Sequence, residues 1–319
     1  MTTRNKARLS EVDLLKGWSI LGVIFIHMSF ASRFSGDVIA AITKLQTLFG
    51  WAVVAFFFCA GFLYAKSSHA MQPVATYAAK RARRLLLPWL GFSLLYKALL
   101  IAGYHFHLVA AAPPHQLWPL LLWPGAPQLY FLPMLFLVSV AFRFLFTVLR
   151  QEWPLWLLAL LLAAAYAWLG AGAPHGGEIK NLPAYAATYL AGVLTANPPF
   201  LARINRRRLF LALIILGFTA LCVAQPTLAY LAVPLAAFPL QRLLVGPMAS
   251  PIDFLGKYSG PIYVWHTPIV MPFLSILLAK TLHAGPWLLI PALATLTVAL
   301  SVAIGLAGAK VDRIGILTI

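Results

Sequence analysis

Residues 11–28 read "EVDLLKGWSILGVIFIHM": an apolar run of the length that crosses a bilayer, yet one that carries Glu11, Asp13, Lys16 and His27. An ionisable side chain at the centre of a spanning helix costs roughly 2.5–3.5 kcal/mol on insertion scales, so such groups turn away from lipid. Lys16 and His27 lie eleven positions apart. At about 100° per residue that is close to three full turns, which places both on one face, about 16 Å apart along the axis. Asp13, three residues before Lys16, falls near the same stripe. The stretch therefore predicts a helix whose polar stripe looks into a bundle or a wet cavity, with a cation near one boundary and an imidazole deeper in.

The rest of the chain makes that bundle. The protein has 319 residues, of which 62% are apolar and only 10% charged, and its mean hydropathy is +0.87. Runs long enough to cross about 30 Å of hydrocarbon recur at 12–31, 45–65, 85–104, 128–149, 155–172, 182–197, 209–225, 227–245, 254–278 and 286–309. The fold class expected is all-α, a polytopic membrane protein of about ten transmembrane helices. No polar block of about 50 residues exists to form a soluble domain, so residues 1–319 read as a single integral-membrane domain. The opening is expected to stay on the chain as a first span, because Asp13, Lys16 and His27 interrupt what a signal peptide would keep apolar.

The net charge of +17 is distributed as a topology signal. With the N-terminus inside, the inner segments hold roughly nineteen basic residues and the outer ones about four, the bias expected of cytoplasmic loops. Both termini are thus expected on the cytoplasmic side. The same bias accounts for the charge without a nucleic-acid partner, and none is expected. Cys59 and Cys222 both lie in apolar runs, so no disulfide framework is expected. The Pro-rich segment 105–127, with Trp118 and Trp123, suits the membrane interface.

Three clusters could carry chemistry. Histidine is the residue type that can exchange a proton near neutral pH, so His27 suits a general base; its plain alternative is a structural histidine with Lys16 snorkelling to the boundary. The second cluster is "KRARRLLLPWL", 80–90, with Lys80, Arg81, Arg83 and Arg84 opening a helix. On charge alone this is a stop signal, but arginines three apart share a face and can clamp a phosphate. The third is "KYSGPIYVWHTPIV", 257–270, where His266 falls in a span broken by Gly260, Pro261 and Pro268. Such breaks are tolerated where neighbours or a cavity satisfy the backbone. His266 is either part of that cavity or a packing histidine bonded to a freed carbonyl. A metal site is not expected: His105, His107 and His115 have no carboxylate or cysteine close by.

Taken together these segments resemble the acyltransferase-3 family of membrane O-acyltransferases. "VDLLKGWSILGVIFIH" resembles its first span, Asp-x-x-(Arg/Lys)-Gly followed by an apolar run to a functional histidine. "FFFCAGFLYA" (56–65), "KRARRLLLPWL", "LYFLPMLF" (129–136) and "YVWHTPI" (263–269) follow in family order. Lys16 in place of the commoner Arg is shared with the fucose-acetylase-like branch, whereas Ala60 and Tyr130 replace a usual Ser and Trp. The extra soluble hydrolase-like domain of some members is not expected here.

The resemblance implies transfer of an acyl group, acetyl as the usual case, from cytoplasmic acyl-CoA to a hydroxyl of a carbohydrate or lipid-linked glycan of the cell envelope. The setting it implies is the bacterial inner (cytoplasmic) membrane. It implies His27 and Asp13 as catalytic residues, with His27 a base or a transient acyl carrier. Lys16, Lys80, Arg81, Arg83 and Arg84 would bind the phosphates of coenzyme A. Tyr130, Tyr263 and His266 would line the substrate cavity, and a pocket is expected to run from Lys16 to His27. A transporter or flippase, or a non-catalytic subunit, would also explain polar groups in a bundle. Against transport stand the missing internal repeat and the few intramembrane carboxylates.

Overall fold

The computed structural model describes residues 10–28, 36–67, 72–106, 127–149, 152–170, 174, 177–196, 226–245, 249–281 and 285–311. Among them every regular element is a helix. In chain order these are α1 (Ser10–His27), α2 (Gly36–Leu48), α3 (Ala52–Lys66), α4 (Val74–His105), a 3₁₀ turn (Pro127–Tyr130), α5 (Phe131–Val148) and α6 (Glu152–Trp168). There follow α7 (Leu182–Thr195), α8 (Pro226–Val245), α9 (Ala249–Lys257), α10 (Ser259–Trp265), a π-helical turn (His266–Val270), α11 (Met271–Thr281) and α12 (Pro286–Val311).

Among the described residues four helical stretches are long and apolar enough to cross a membrane: Gly36–Lys66, Val74–His105, Gln128–Val148 and Pro286–Gly308. α1 has the length of a span but carries Glu11, Asp13 and Lys16. The expected span at 209–225 and most of 105–127 lie outside the described residues. Two expected spans differ in detail. The run 45–65 belongs to two helices, α2 and α3, joined by a turn at Phe49–Trp51. The run 254–278 is divided among α9, α10, the π turn and α11.

α1 starts with Glu11 and Asp13 in its first turn, acidic groups placed as the helix dipole favours, and ends on His27. α3 runs antiparallel to it: Cys59 Sγ lies 4.0 Å from the Val12 carbonyl oxygen, while Gly22 meets Ala52. The closest crossing is that of α3 with α7. A Cβ at Gly61 would overlap the Tyr189 carbonyl oxygen, and one at Gly192 would overlap that of Phe58. The Ala- and Gly-rich composition of α7 is thus what lets two backbones touch, the way small residues pack helices in lipid. α9 crosses the first half of α1 by the same device, with Gly17 against the Ile252 carbonyl and Gly256 against that of Asp13. α8 also packs on α1, α7 also on α6, α5 on α4, and α12 on α10.

These crossings fix which residues share a level. Val12 lies level with Cys59 at the middle of α3 and Gly22 level with Ala52 at its start, with Lys16 between them, while His27 shares its cavity with Val53 and Phe56 near that start. α3 is therefore a ruler between a charged end and an imidazole end.

Candidate active site

At the imidazole end the last turn of α1 is tied down by α2, whose Gln46 amide donates to the Ile26 carbonyl oxygen at 2.8 Å. That carbonyl is among those a helix leaves without an internal partner. His27 is half-buried. Its Nδ1 lies 2.8 Å from the carbonyl oxygen of Val23, one turn back, and 3.2 Å from Nε2 of His266. The two rings meet edge to face, 5.0 Å between centres and 62° between planes.

His266 reaches this position through the break in its span. Thr267 precedes Pro268 and adopts φ −129°, ψ 145°, the extended conformation that a following proline imposes. The helix gives way there to a π turn, as is common at functional sites. His266 is fully buried, with Nδ1 2.7 Å from the Tyr263 carbonyl and 3.0 Å from that of Ile262. Thr267 Oγ1 stands 3.3 Å from its Nε2. His266 thus bonds carbonyls of its own broken span, as a packing histidine would, and also touches His27.

A small cavity of about 10 Å³ lies beside His27 and is lined by Val23, Val53, Phe56, Gln128, Tyr130, Phe131 and Tyr263. That is room for about one water molecule, far below the size of ligand pockets, so its walls have to part before substrates reach His27. The Tyr263 hydroxyl donates to the Gln128 carbonyl oxygen, which clamps α10 to the 3₁₀ turn before α5. The Tyr185 hydroxyl approaches that of Tyr130 at 3.4 Å. Gln128 itself is 2% exposed, and its side-chain Nε2 has no hydrogen-bond partner among the described residues. A buried amide donor left unsatisfied is costly, and here it borders the cavity that His27 faces.

At the other end of α1, Lys16 Nζ lies 3.6 Å from Asp13 Oδ1. Asp13, expected among the catalytic residues, stands far from His27. Fourteen residues of helix separate them, about 21 Å, and the carboxylate belongs with Lys16. The cavity beside His27 does not itself extend to Lys16. The cavity is lined from Val23 onward, and just before it Gly22 packs on Ala52 and Phe49.

The basic block opens α4 at the same level as the C-terminal end of α3. Arg81 Nε donates to the Tyr77 hydroxyl at 3.0 Å, and its guanidinium lies 5.5 Å from the Tyr77 ring centre. Lys80 Nζ donates to Gln72 Oε1 at 3.2 Å. Arg83 and Arg84 are exposed. Tyr77 meets Tyr64 of α3 edge to face at 5.6 Å, and Tyr64 lies 6.3 Å from Tyr189 of α7. Arg143 of α5 is buried and donates through Nε at 3.1 Å, and through a second nitrogen, to the Gln72 carbonyl oxygen. So one cation is spent holding the entry to α4, while the block on α4 remains within reach of a ligand from solvent.

The family model described as an acyltransferase domain matches residues 9–306. The chain belongs to the acyltransferase-3 family. It is a membrane acyltransferase, and the matched span takes in every residue of both ends described above. Comparison with curated proteins gave no match, and neither did comparison with solved structures. Among the described residues no group of three His, Cys, Asp or Glu stands together as a metal site.

Sequence reasoning passed over Gln128, Arg143 and Thr267. Gln128 is the one amide at the start of an apolar run, and Arg143 is a cation within that run. Polar groups inside a span are functional or structural anchors by default, so both had a signal. Thr267 had one in Pro268 behind it.

Proposed function

We propose that this acyltransferase takes an acyl group, acetyl in the expected case, from acyl-CoA on the inner side. It places that group on a hydroxyl of a carbohydrate or lipid-linked glycan of the cell envelope. The enzyme works in the bacterial inner membrane as a bundle of about ten spans with both termini cytoplasmic, in keeping with the distribution of its basic residues. What carries the reading is His27: a half-buried imidazole on a cavity wall, one nitrogen engaged by Val23 and His266, on the stripe that begins with Lys16.

The coenzyme phosphates are held by Lys16 and by cations of the 80–84 block. Arg83 and Arg84 are the exposed members, and Arg81 is already oriented by Tyr77. The pantetheine arm covers the distance of about 16 Å along α1, which requires the helices around Gly22 to part. At the cavity His27 takes the proton of the acceptor hydroxyl as its oxygen attacks the thioester carbonyl. The C–S bond breaks, and the same proton passes to the departing sulfur. Gln128 Nε2 offers a hydrogen bond to the carbonyl oxygen as negative charge gathers on it. Tyr130 and Tyr263 shape the wall against which the acceptor lies.

The test is direct. Purified protein in lipid nanodiscs, given acetyl-CoA and a panel of glycosides, should release free thiol and yield an O-acetylated product by mass spectrometry. Neither thiol release nor product with any hydroxyl acceptor would remove the proposal and favour a transport or structural role.

A further inference from the structure

We infer that His266 is a positioning residue: it fixes the tautomer of His27, so that Nε2 of His27 and not Nδ1 faces the reacting hydroxyl. The inference rests on the proposed role of His27 as base. The argument is one of donors and acceptors. His266 Nδ1 lies within hydrogen-bond distance of two backbone carbonyl oxygens, 2.7 Å from that of Tyr263 and 3.0 Å from that of Ile262. Carbonyl oxygens only accept, so Nδ1 of His266 carries the hydrogen. The ring is fully buried, and in its neutral form Nε2 is then bare and accepts.

That bare nitrogen lies 3.2 Å from Nδ1 of His27, which also lies 2.8 Å from the Val23 carbonyl oxygen. Both neighbours accept, so Nδ1 of His27 carries its hydrogen and shares it between them. The lone pair of a neutral His27 therefore sits on Nε2. No other placement of hydrogens on the neutral pair avoids setting two lone pairs against each other. Thr267 Oγ1, 3.3 Å from Nε2 of His266, donates to the same lone pair and holds that ring against rotation. The backbone break at Thr267–Pro268 presents the pair in this orientation.

In turnover the consequence is simple. When Nε2 of His27 takes the hydroxyl proton, the ring becomes a cation whose Nδ1–H already has two acceptors. Val23 belongs to the same helix and allows the ring to pivot; His266 approaches from another element and fixes its plane. An orienting acceptor behind a catalytic histidine is a general device, more often a carboxylate. Here a neutral imidazole does the task without burying a charge.

The experiment uses full-length protein in nanodiscs, labelled with ¹⁵N-histidine, with His27→Asn to assign the His27 signals. Solid-state NMR of the neutral protein should show His27 protonated on Nδ1. His27 protonated on Nε2 would overturn the inference whatever the activity. Kinetically, His266→Phe keeps the packing and removes the acceptor; kcat should fall about tenfold or more with both KM values within about twofold. His266→Gln, whose carbonyl reaches the position of Nε2, should recover most of that loss. Unchanged kcat in a folded His266→Phe protein, or no advantage of Gln over Phe, would overturn it. A fully active His27→Asn enzyme would instead remove the base reading, while the spectrum still decides the tautomer.

Discussion

At the His27 end of α1 the polar groups are few, buried and held largely by backbone; at the Lys16 end they are many, charged and held by one another. Val23, Ile262 and Tyr263 supply carbonyls to two imidazoles, and Gln128 waits with an unsatisfied donor. Lys16, by contrast, pairs with Asp13 at a loose 3.6 Å, and the 80–84 block keeps two arginines in the open. The difference follows from what each end has to do. A reacting centre needs its groups fixed within fractions of an ångström. A phosphate clamp needs charge and reach, and tolerates movement.

The comparison breaks most sharply at His27. His27→Ala should lower kcat by about a thousandfold, within the range a general base contributes, while expression and detergent extraction stay at wild-type levels. The replacement enlarges an existing cavity instead of opening one in the core. Transfer rates within threefold of wild type would remove the catalytic assignment and make the His27 end structural.

Next in size is Gln128. Gln128→Leu keeps the volume and removes the donor, and should cost about tenfold to a hundredfold in kcat, as loss of one donor to a developing oxyanion does. Because the same change relieves a buried unsatisfied amide, thermal stability should rise or hold. A variant both more stable and equally active would show that the amide serves neither purpose.

The charged end answers in a different constant. Arg81→Gln with Arg84→Gln should raise the apparent KM for acyl-CoA more than tenfold, since each charge-assisted bond to phosphate is worth about 1.5–3 kcal/mol. The KM for the acceptor should stay within about twofold. If donor KM holds and only membrane orientation changes, the block is a topology signal alone.

How much of this was legible beforehand follows the same division. Helices and their polar stripe could be read because periodicity and hydropathy are local: Lys16 and His27 share a face by arithmetic alone. The meeting of His27 with His266 could not, since 239 positions separate them and only the packing of α10 against α1 brings them together. The sequence showed a break at Gly260, Pro261 and Pro268, but not that it would become a π turn aiming one imidazole at another. The run 45–65 read as one span because Phe49, Gly50 and Trp51 do not interrupt its hydropathy, although they turn the chain. Asp13 and His27 stand together in the motif, yet a motif lists residues in sequence and says nothing of the length of helix between them.

That last point yields the smallest effect and the finest discrimination. Asp13→Asn keeps the shape of the side chain, so the crossing of Asp13 with Gly256 on α9 is undisturbed. It removes only the charge opposite Lys16. A pair this loose and partly solvated, with side chains 23% and 12% exposed, contributes about 0–1 kcal/mol. Freed from it, Lys16 should either bind phosphate slightly better or lose some of its preferred orientation. The acyl-CoA KM should therefore move by no more than about fivefold in either direction, and kcat should stay within twofold. A residue that assisted His27 in proton transfer would behave otherwise, lowering kcat about a hundredfold with KM intact. Since about 21 Å of helix lies between the two side chains, that result would mean α1 does not run unbroken from Ser10 to His27 in the working enzyme, and the separation of a charged end from an imidazole end would fall with it.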